Sequence, residues 1–190
     1  MTSVSDARAK RPSVLVTKPM LAPLPPAGTT RILGIDPGSL KVGIAVIEKR
    51  GNQLTCRSAE TLRLAGATLS ERLLHLHTHL TATCAAWRPQ QAAIEALFHH
   101  RNADSALKLG HARGVALLVL AQQAIPTSTY EPSVVKKAVT GYGGATKDQV
   151  RAAVRTLLGV REALALDSSD ALAIAICHAH QHPALPRPLL

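Results

Sequence analysis

Four acids stand where acids are costly. Asp36 ends the apolar run RILGID just before a Pro-Gly pair, and Glu95 closes the stretch AAIE. Asp167 and Asp170 flank Ser168 and Ser169 at the head of ALAIAI. Three of them have ordinary explanations. Asp36 suits a turn before Pro-Gly. Asp167 suits a helix N-cap, and Asp170 suits the positive end of that helix. Glu95 is harder to dismiss, because an acid ending an Ala-Ile strand must find a partner or a cation. One shared site accounts for all four. Carboxylates a few ångströms apart repel, and one takes up a proton unless a divalent cation intervenes. All-oxygen donors are hard ligands and select Mg²⁺ or Mn²⁺ over zinc. Two such ions ~4 Å apart suit in-line phosphodiester hydrolysis, one activating water and one stabilising the leaving oxygen.

The rest of the chain is basic. Twenty-two Lys and Arg against twelve Asp and Glu leave a net charge of +10 over 190 residues. That favours a polyanionic partner, most simply nucleic acid. Lys147, Arg151 and Arg155 recur every four residues, a basic stripe able to follow phosphates. Lys136 and Lys137 lie just upstream, before GYGG, and together with that loop suggest a mobile cationic clamp. Phe98 sits among His99, His100, Arg101 and Asn102, which argue for a loop and an exposed wedge between bases. A core position is the plainer alternative for a lone Phe. Arg101 is a candidate phosphate contact. Only four aromatics occur, which speaks against a stacking platform for single strands. His75/His79 and His178/His182 have metal-ligand spacing, but no third ligand is evident, so they read as packing or solvated side chains. The three cysteines have no CxxC spacing and read as reduced thiols of a cytoplasmic protein.

The elements that must position these residues are legible in part. RILGID (31–36), KVGIAVIE (41–48) and LTCRSAETLRL (54–64) read as three strands of an antiparallel meander. Thr68 and Glu71 have capping-box spacing, and Leu69, Leu73, Leu76, Leu80 and Cys84 fall at helical spacing. QQAAIEAL (90–97) reads as a buried strand and 102–123 as a long helix. Gly110 and Gly114 on that helix would allow a second helix to approach, either its own sheet's or another subunit's. IPTSTYE (125–131) is a fifth short strand. Helices follow at about 132–139, 146–159 and 168–181. The order is mixed α/β, with helices covering a partly parallel sheet. Residues 1–30 carry four basic residues, one acid and five prolines, and read as a flexible basic arm with a weak likeness to a transit peptide. The domain then spans 31–180, with a flexible Pro-containing tail at 181–190. No apolar run of membrane-spanning length occurs.

Three blocks carry a resemblance. GIDPGSLKVGIAVI (34–47), AIEALFHHRNADSALKLGHARGVA (93–116) and DSSDALAIAICHA (167–179) resemble, in order, the motif blocks of the RuvC-type Holliday junction resolvases. NADSALKLGHARG is the most specific of these. The resemblance implies an RNase H-like fold with a mixed five-stranded sheet, and a homodimer. It implies Mg²⁺-dependent symmetric nicking of two opposed strands of a four-way DNA junction in recombination and repair. It also implies work alongside a branch-migration motor. The family's four acidic ligands fall on Asp36, Glu95, Asp167 and Asp170. Its junction-wedging phenylalanine falls on Phe98, and two DNA-contacting lysines fall on Lys136 and Lys147. The N-terminal arm is a departure from the family pattern.

Three other functions compete. An RNA-cleaving nuclease of the same superfamily would share the acids and differ in substrate. GIDPGS also resembles the first phosphate loop of actin-like ATPases, but the chain is too short for their two lobes. A catalytically silent DNA-binding module would have no use for four intact acids.

Overall fold

The computed structural model describes residues 21–96, 103–161 and 164–181. Five strands run β1 (Thr29–Asp36), β2 (Lys41–Arg50), β3 (Gln53–Arg63), β4 (Gln91–Glu95) and β5 (Thr127–Tyr130). Five helices run α1 (Leu69–Trp87), α2 (Ala103–Gln122), α3 (Pro132–Thr140), α4 (Lys147–Leu158) and α5 (Leu166–Gln181). The strands form one sheet in the order β3-β2-β1-β4-β5. β1, β2 and β3 are antiparallel neighbours, while β4 pairs parallel with both β1 and β5. The meander and the mixed sheet match the sequence reading, with strand and helix ends moved by one or two residues.

Helix α1 begins where its capping box requires. The Thr68 hydroxyl accepts the Glu71 N–H at 3.3 Å, and Glu71 accepts the Thr68 N–H at 3.0 Å. The same box opens α4, with Thr146 and Gln149 in the two roles.

The pleat sorts the strands onto two faces. Leu33, Ile35, Ile44, Val46, Ala92 and Ile94 pack against α1 and α2. Ile32, Ala45, Ile47 and Ala93 pack against α5, which α3 and α4 cover in turn. The alternation continues past the apolar residues. Asp36 follows Ile35 and Glu95 follows Ile94, so both carboxylates emerge on the α5 side.

Helix α5 is buried on every side over its middle, where every residue from Ala171 to Ala179 is buried. It lies almost on the backbone of the sheet. A Cβ at Gly34 would stand 2.2 Å from the Ala171 carbonyl oxygen. One at Gly43 would stand 2.0 Å from that of Asp167. Only glycine fits at either place. Gly43 pairs with Asp36 across β1 and β2, so this close approach carries the head of α5 to the end of β1.

Two expectations change. Ordered packing begins before residue 31. Ala22 is 1% exposed, and its N–H donates to the Ala86 carbonyl at 2.8 Å. Buried Arg31 bonds Glu48 at 2.6 Å and the carbonyls of Trp87 and Pro23 at 2.5 and 2.9 Å. Arg31 holds Pro23 and the Ala86 carbonyl and Arg88 hold Ala22, so the arm expected over 1–30 is docked in its last part. Residues 1–20 and 182–190 lie outside the described residues. The second change is at α5, which starts at Leu166. The Ser169 N–H already reaches the Ala165 carbonyl at 3.0 Å. Asp167 is therefore inside the first turn and is not the cap.

No helix among the described residues is long and apolar enough to cross a membrane.

Gly43→Ala must push α5 off the sheet. The expected outcome is a loss of ~1–3 kcal/mol of stability in urea unfolding, as for other overpacked cores. A Gly43→Ala protein as stable as wild type would show that α5 has room to move.

Candidate active site

The acids are built from three elements. β1 delivers Asp36, β4 delivers Glu95, and the first turns of α5 deliver Asp167 and Asp170. A cavity of about 290 Å³ opens between them, lined by Asp36, Glu95, Asp170, Lys136 and Lys147 among others. Pro132 and Val135 of α3, Val150 of α4, and Ala173 and Ile174 of α5 complete its walls. Asp167 does not line the cavity, but its charge is felt by both Asp36 and Asp170.

The electrostatics bear the mark of crowded carboxylates. Burial first, then the charges of Glu95 and Asp170, together push the Asp36 carboxyl up to about 8, against Lys147. Burial also raises Asp170, with Lys147 opposing. The Lys147 ammonium lies 3.5 Å from the Asp170 carboxylate. A cation between these acids would relieve the repulsion that a proton on Asp36 relieves in its absence. The donors are all oxygens, as Mg²⁺ and Mn²⁺ require. Among the described residues, no three His, Cys, Asp or Glu side chains are closed around one cation-sized point. Asp36, Glu95 and Asp170 instead line the cavity walls, with Asp167 at Coulombic range. The residues present thus fit a hard divalent cation in charge and chemistry, with the side chains still to close on it.

The basic candidates separate. Lys136 and Lys147 face the acids. Lys137 is exposed on α3, and its carbonyl accepts the Gly141 N–H that caps the helix. Arg151 pairs with Asp148 at 2.5 Å. Arg155 bonds the carbonyls of Val160 and Arg161, closing the end of α4. The stripe expected from four-residue spacing is therefore partly engaged within α4. Spacing reveals a shared face but not the neighbours already on it. Phe98 and Arg101 lie outside the described residues. Gly141 sits at φ 80° as the helix cap, and the Thr140 hydroxyl accepts the Tyr142 N–H at 3.2 Å.

The histidines pack rather than converge. His79 pairs with Glu60 at 2.8 Å, and His75 accepts the Ala65 N–H. His178 is 3% exposed and bridges the Tyr130 hydroxyl at 2.9 Å and Gln91 at 3.1 Å. His182 lies outside the described residues. All three cysteines are free thiols.

Sequence reading passed over two residues. Tyr142 is 70% exposed, whereas Trp87 and Tyr130 are buried. Its signal was the pair of glycines bracketing it. Arg113 reaches from α2 to the Glu95 carbonyl at 3.1 Å and the Thr129 hydroxyl at 3.0 Å. An arginine inside the apolar run HARGVALLVL was its only signal.

Comparison with known proteins decides the family. The model of crossover junction endodeoxyribonuclease RuvC matches residues 32–178. The chain belongs to the RuvC family. It is 47% identical over 156 residues to the RuvC of Halorhodospira halophila, covering 82% of this chain and 93% of that protein. The RuvC of Chloroflexus aggregans is 47% identical over 159 residues, covering 83% and 97%. Among solved structures, T. thermophilus RuvC in complex with Holliday junction substrate superposes with a TM-score of 0.75 at 31% identity. That match covers 79% of this chain and 93% of the other. The sheet and its flanking helices are thus an RNase H-like fold, and RuvC relatives share it over nearly their whole length.

The raised Asp36 carboxyl predicts a pH signature in the cation-free protein. Below its ordinary value of 3.8 the group is protonated folded or unfolded; between there and about 8 only the folded state keeps the proton. Rising pH across that window therefore favours unfolding. Asp36→Asn removes this contribution. In EDTA the variant is expected to melt above wild type at pH 8, with the gap shrinking toward pH 4 as both states protonate. Thermal melts at the two pH values check this, and a pH-independent gap contradicts it.

Proposed function

We infer that family membership carries its activity here. The chain is a divalent-metal-dependent DNA endonuclease that resolves Holliday junctions. The observation that carries the site assignment is the single cavity in which Asp36, Glu95 and Asp170 face Lys136 and Lys147 on a chain of net charge +10. We assign Asp36, Glu95, Asp167 and Asp170 as the ligands of two Mg²⁺ ions, for which Mn²⁺ substitutes. When bound, such ions supply an acidified water and charge for the leaving oxygen. The chain's own part is to hold the four carboxylates against their repulsion. Lys147 and Lys136 supply positive charge where a scissile phosphate must enter. Lys147, 3.5 Å from the Asp170 carboxylate, would be free to turn toward that phosphate were Asp170 to hold a cation. Lys137, Arg151, Arg155, Arg101 and Phe98 extend the DNA surface, with Phe98 as the wedge.

We assign a homodimer, because a junction has near two-fold symmetry and two sites must meet two opposed strands. The outer stripe of α2 supports that reading. Leu107 and Leu118 are 61% and 52% exposed, and a Cβ at Gly114 would meet nothing within 4 Å. Ala112, Ala116, Val119 and Leu120 occupy the opposite, buried side. A second α2 fits this stripe. Residues 31–180, with the docked segment before them, form the nuclease domain. Residues 1–20 and 182–190 form its arm and tail. A cytoplasmic location fits the free thiols, and delivery by a branch-migration motor follows the family pattern.

A cleavage assay on mobile and immobile four-way junctions, a linear duplex and an RNA–DNA hybrid tests the reading. Paired symmetric nicks are expected in the mobile junction only, lost in EDTA and in Asp36→Asn. Binding without cutting in Mg²⁺ and Mn²⁺ would leave a silent binding module, and cutting of the hybrid would overturn the substrate. Leu118→Asp is expected to shift sedimentation from dimer to monomer and to uncouple the two nicks. A Leu118→Asp dimer of wild-type affinity would exclude this face as the interface.

A further inference from the structure

We propose that Arg113 is a positioning residue that fixes Glu95 for metal binding from the opposite face of the sheet. The proposal rests on reading the four carboxylates as a divalent-metal centre. Glu95 is the last residue of β4. The β1–β4 ladder ends at the pair Ile35 and Ile94, so on the β1 side Glu95 lies one residue beyond it, while on the other side it pairs with Tyr130 of β5. The chain then leaves the sheet within a residue, after the Ala96 N–H donates to the Tyr130 carbonyl at 2.8 Å. A further anchor comes from α2. Arg113 Nε donates to the Glu95 carbonyl at 3.1 Å, and Nη2 donates to Thr129 Oγ1 at 3.0 Å.

One guanidinium therefore ties the ends of β4 and β5 together. It does so from the α1/α2 face, while the Glu95 side chain lines the cavity on the α5 face. Arg113 does not line that cavity. Its effect on the site must pass through the Glu95 backbone. A bond to the carbonyl of the ligand residue itself limits how far that residue can rotate. Charge-assisted bonds from a planar fork do this better than a neutral bond or a point charge. Lysine keeps the charge but cannot span both acceptors in the same geometry.

Mn²⁺ binding to the full-length, DNA-free protein, read by electron paramagnetic resonance, tests the assignment. Arg113→Gln is expected to weaken Mn²⁺ binding ~10–100-fold, the usual effect of losing a partner that orients a ligand. Arg113→Lys is expected to fall between that variant and wild type, which keeps the test alive where Arg113→Gln folds poorly. In metal-free protein, the Ala96 amide is expected to exchange faster in Arg113→Gln. Junction affinity in EDTA is expected to stay at the wild-type value. Wild-type Mn²⁺ affinity in Arg113→Gln overturns the proposal. So does a loss confined to junction affinity, which would make Arg113 a DNA contact. Failure of the wild-type protein itself to bind Mn²⁺ refutes the metal-centre reading instead.

Discussion

The contact between α5 and the sheet is the constraint on which the site depends. Helix and strands approach so closely that the Ala171 and Asp167 carbonyls occupy the space a side chain would need at Gly34 and Gly43. The apolar surface of Ala171 through Ala179 drives that approach, and the missing side chains permit it. Asp170 then faces Asp36 and Glu95 over one cavity, with the charge of Asp167 close by. Without this contact, the acids of α5 and those of β1 and β4 would belong to separate surfaces.

Bringing these acids together is unfavourable by itself, and the fold supports it from several sides. Pleat alternation puts Asp36 and Glu95 on the same face as α5. Lys147, set by the capped start of α4, lies against Asp170. Lys136 enters from α3, whose Val135 and Val139 are buried in the same core. The outcome is an acidic cavity rimmed by lysines, in which burial and mutual repulsion hold the Asp36 carboxyl near 8.

A second anchor lies at the far end of β1. Arg31 is 1% exposed and fully surrounded by Glu48, Trp87 and Pro23. A buried charge is tolerable only when so paired. Here it joins the leading segment, the end of α1 and β2 to the first residues of β1. The strand whose last residue is Asp36 is thus held at both ends, by Arg31 at one and by α5 at the other.

Much of this was determined by the sequence alone. The strand meander, the capping box at Thr68 and Glu71, the long α2 and the candidacy of four acids all follow from local pattern. Local pattern records which residues share a face or a turn. The three motif blocks added the family and, by resemblance, an expected role for each acid. Tertiary structure alone decided the rest. It set α5 two residues earlier than its acids suggested, because the Ala165 carbonyl already accepts the Ser169 N–H. It docked Pro23 through Arg31 and Ala22 through Arg88 and the Ala86 carbonyl, contacts no composition rule foresees. It engaged Arg151 with Asp148 and Arg155 with the end of α4, leaving Lys147 to the cavity. It brought Arg113 to the carbonyl of Glu95, 18 residues away. Each of these depends on which surfaces meet, and that is a property of packing between elements distant in the chain.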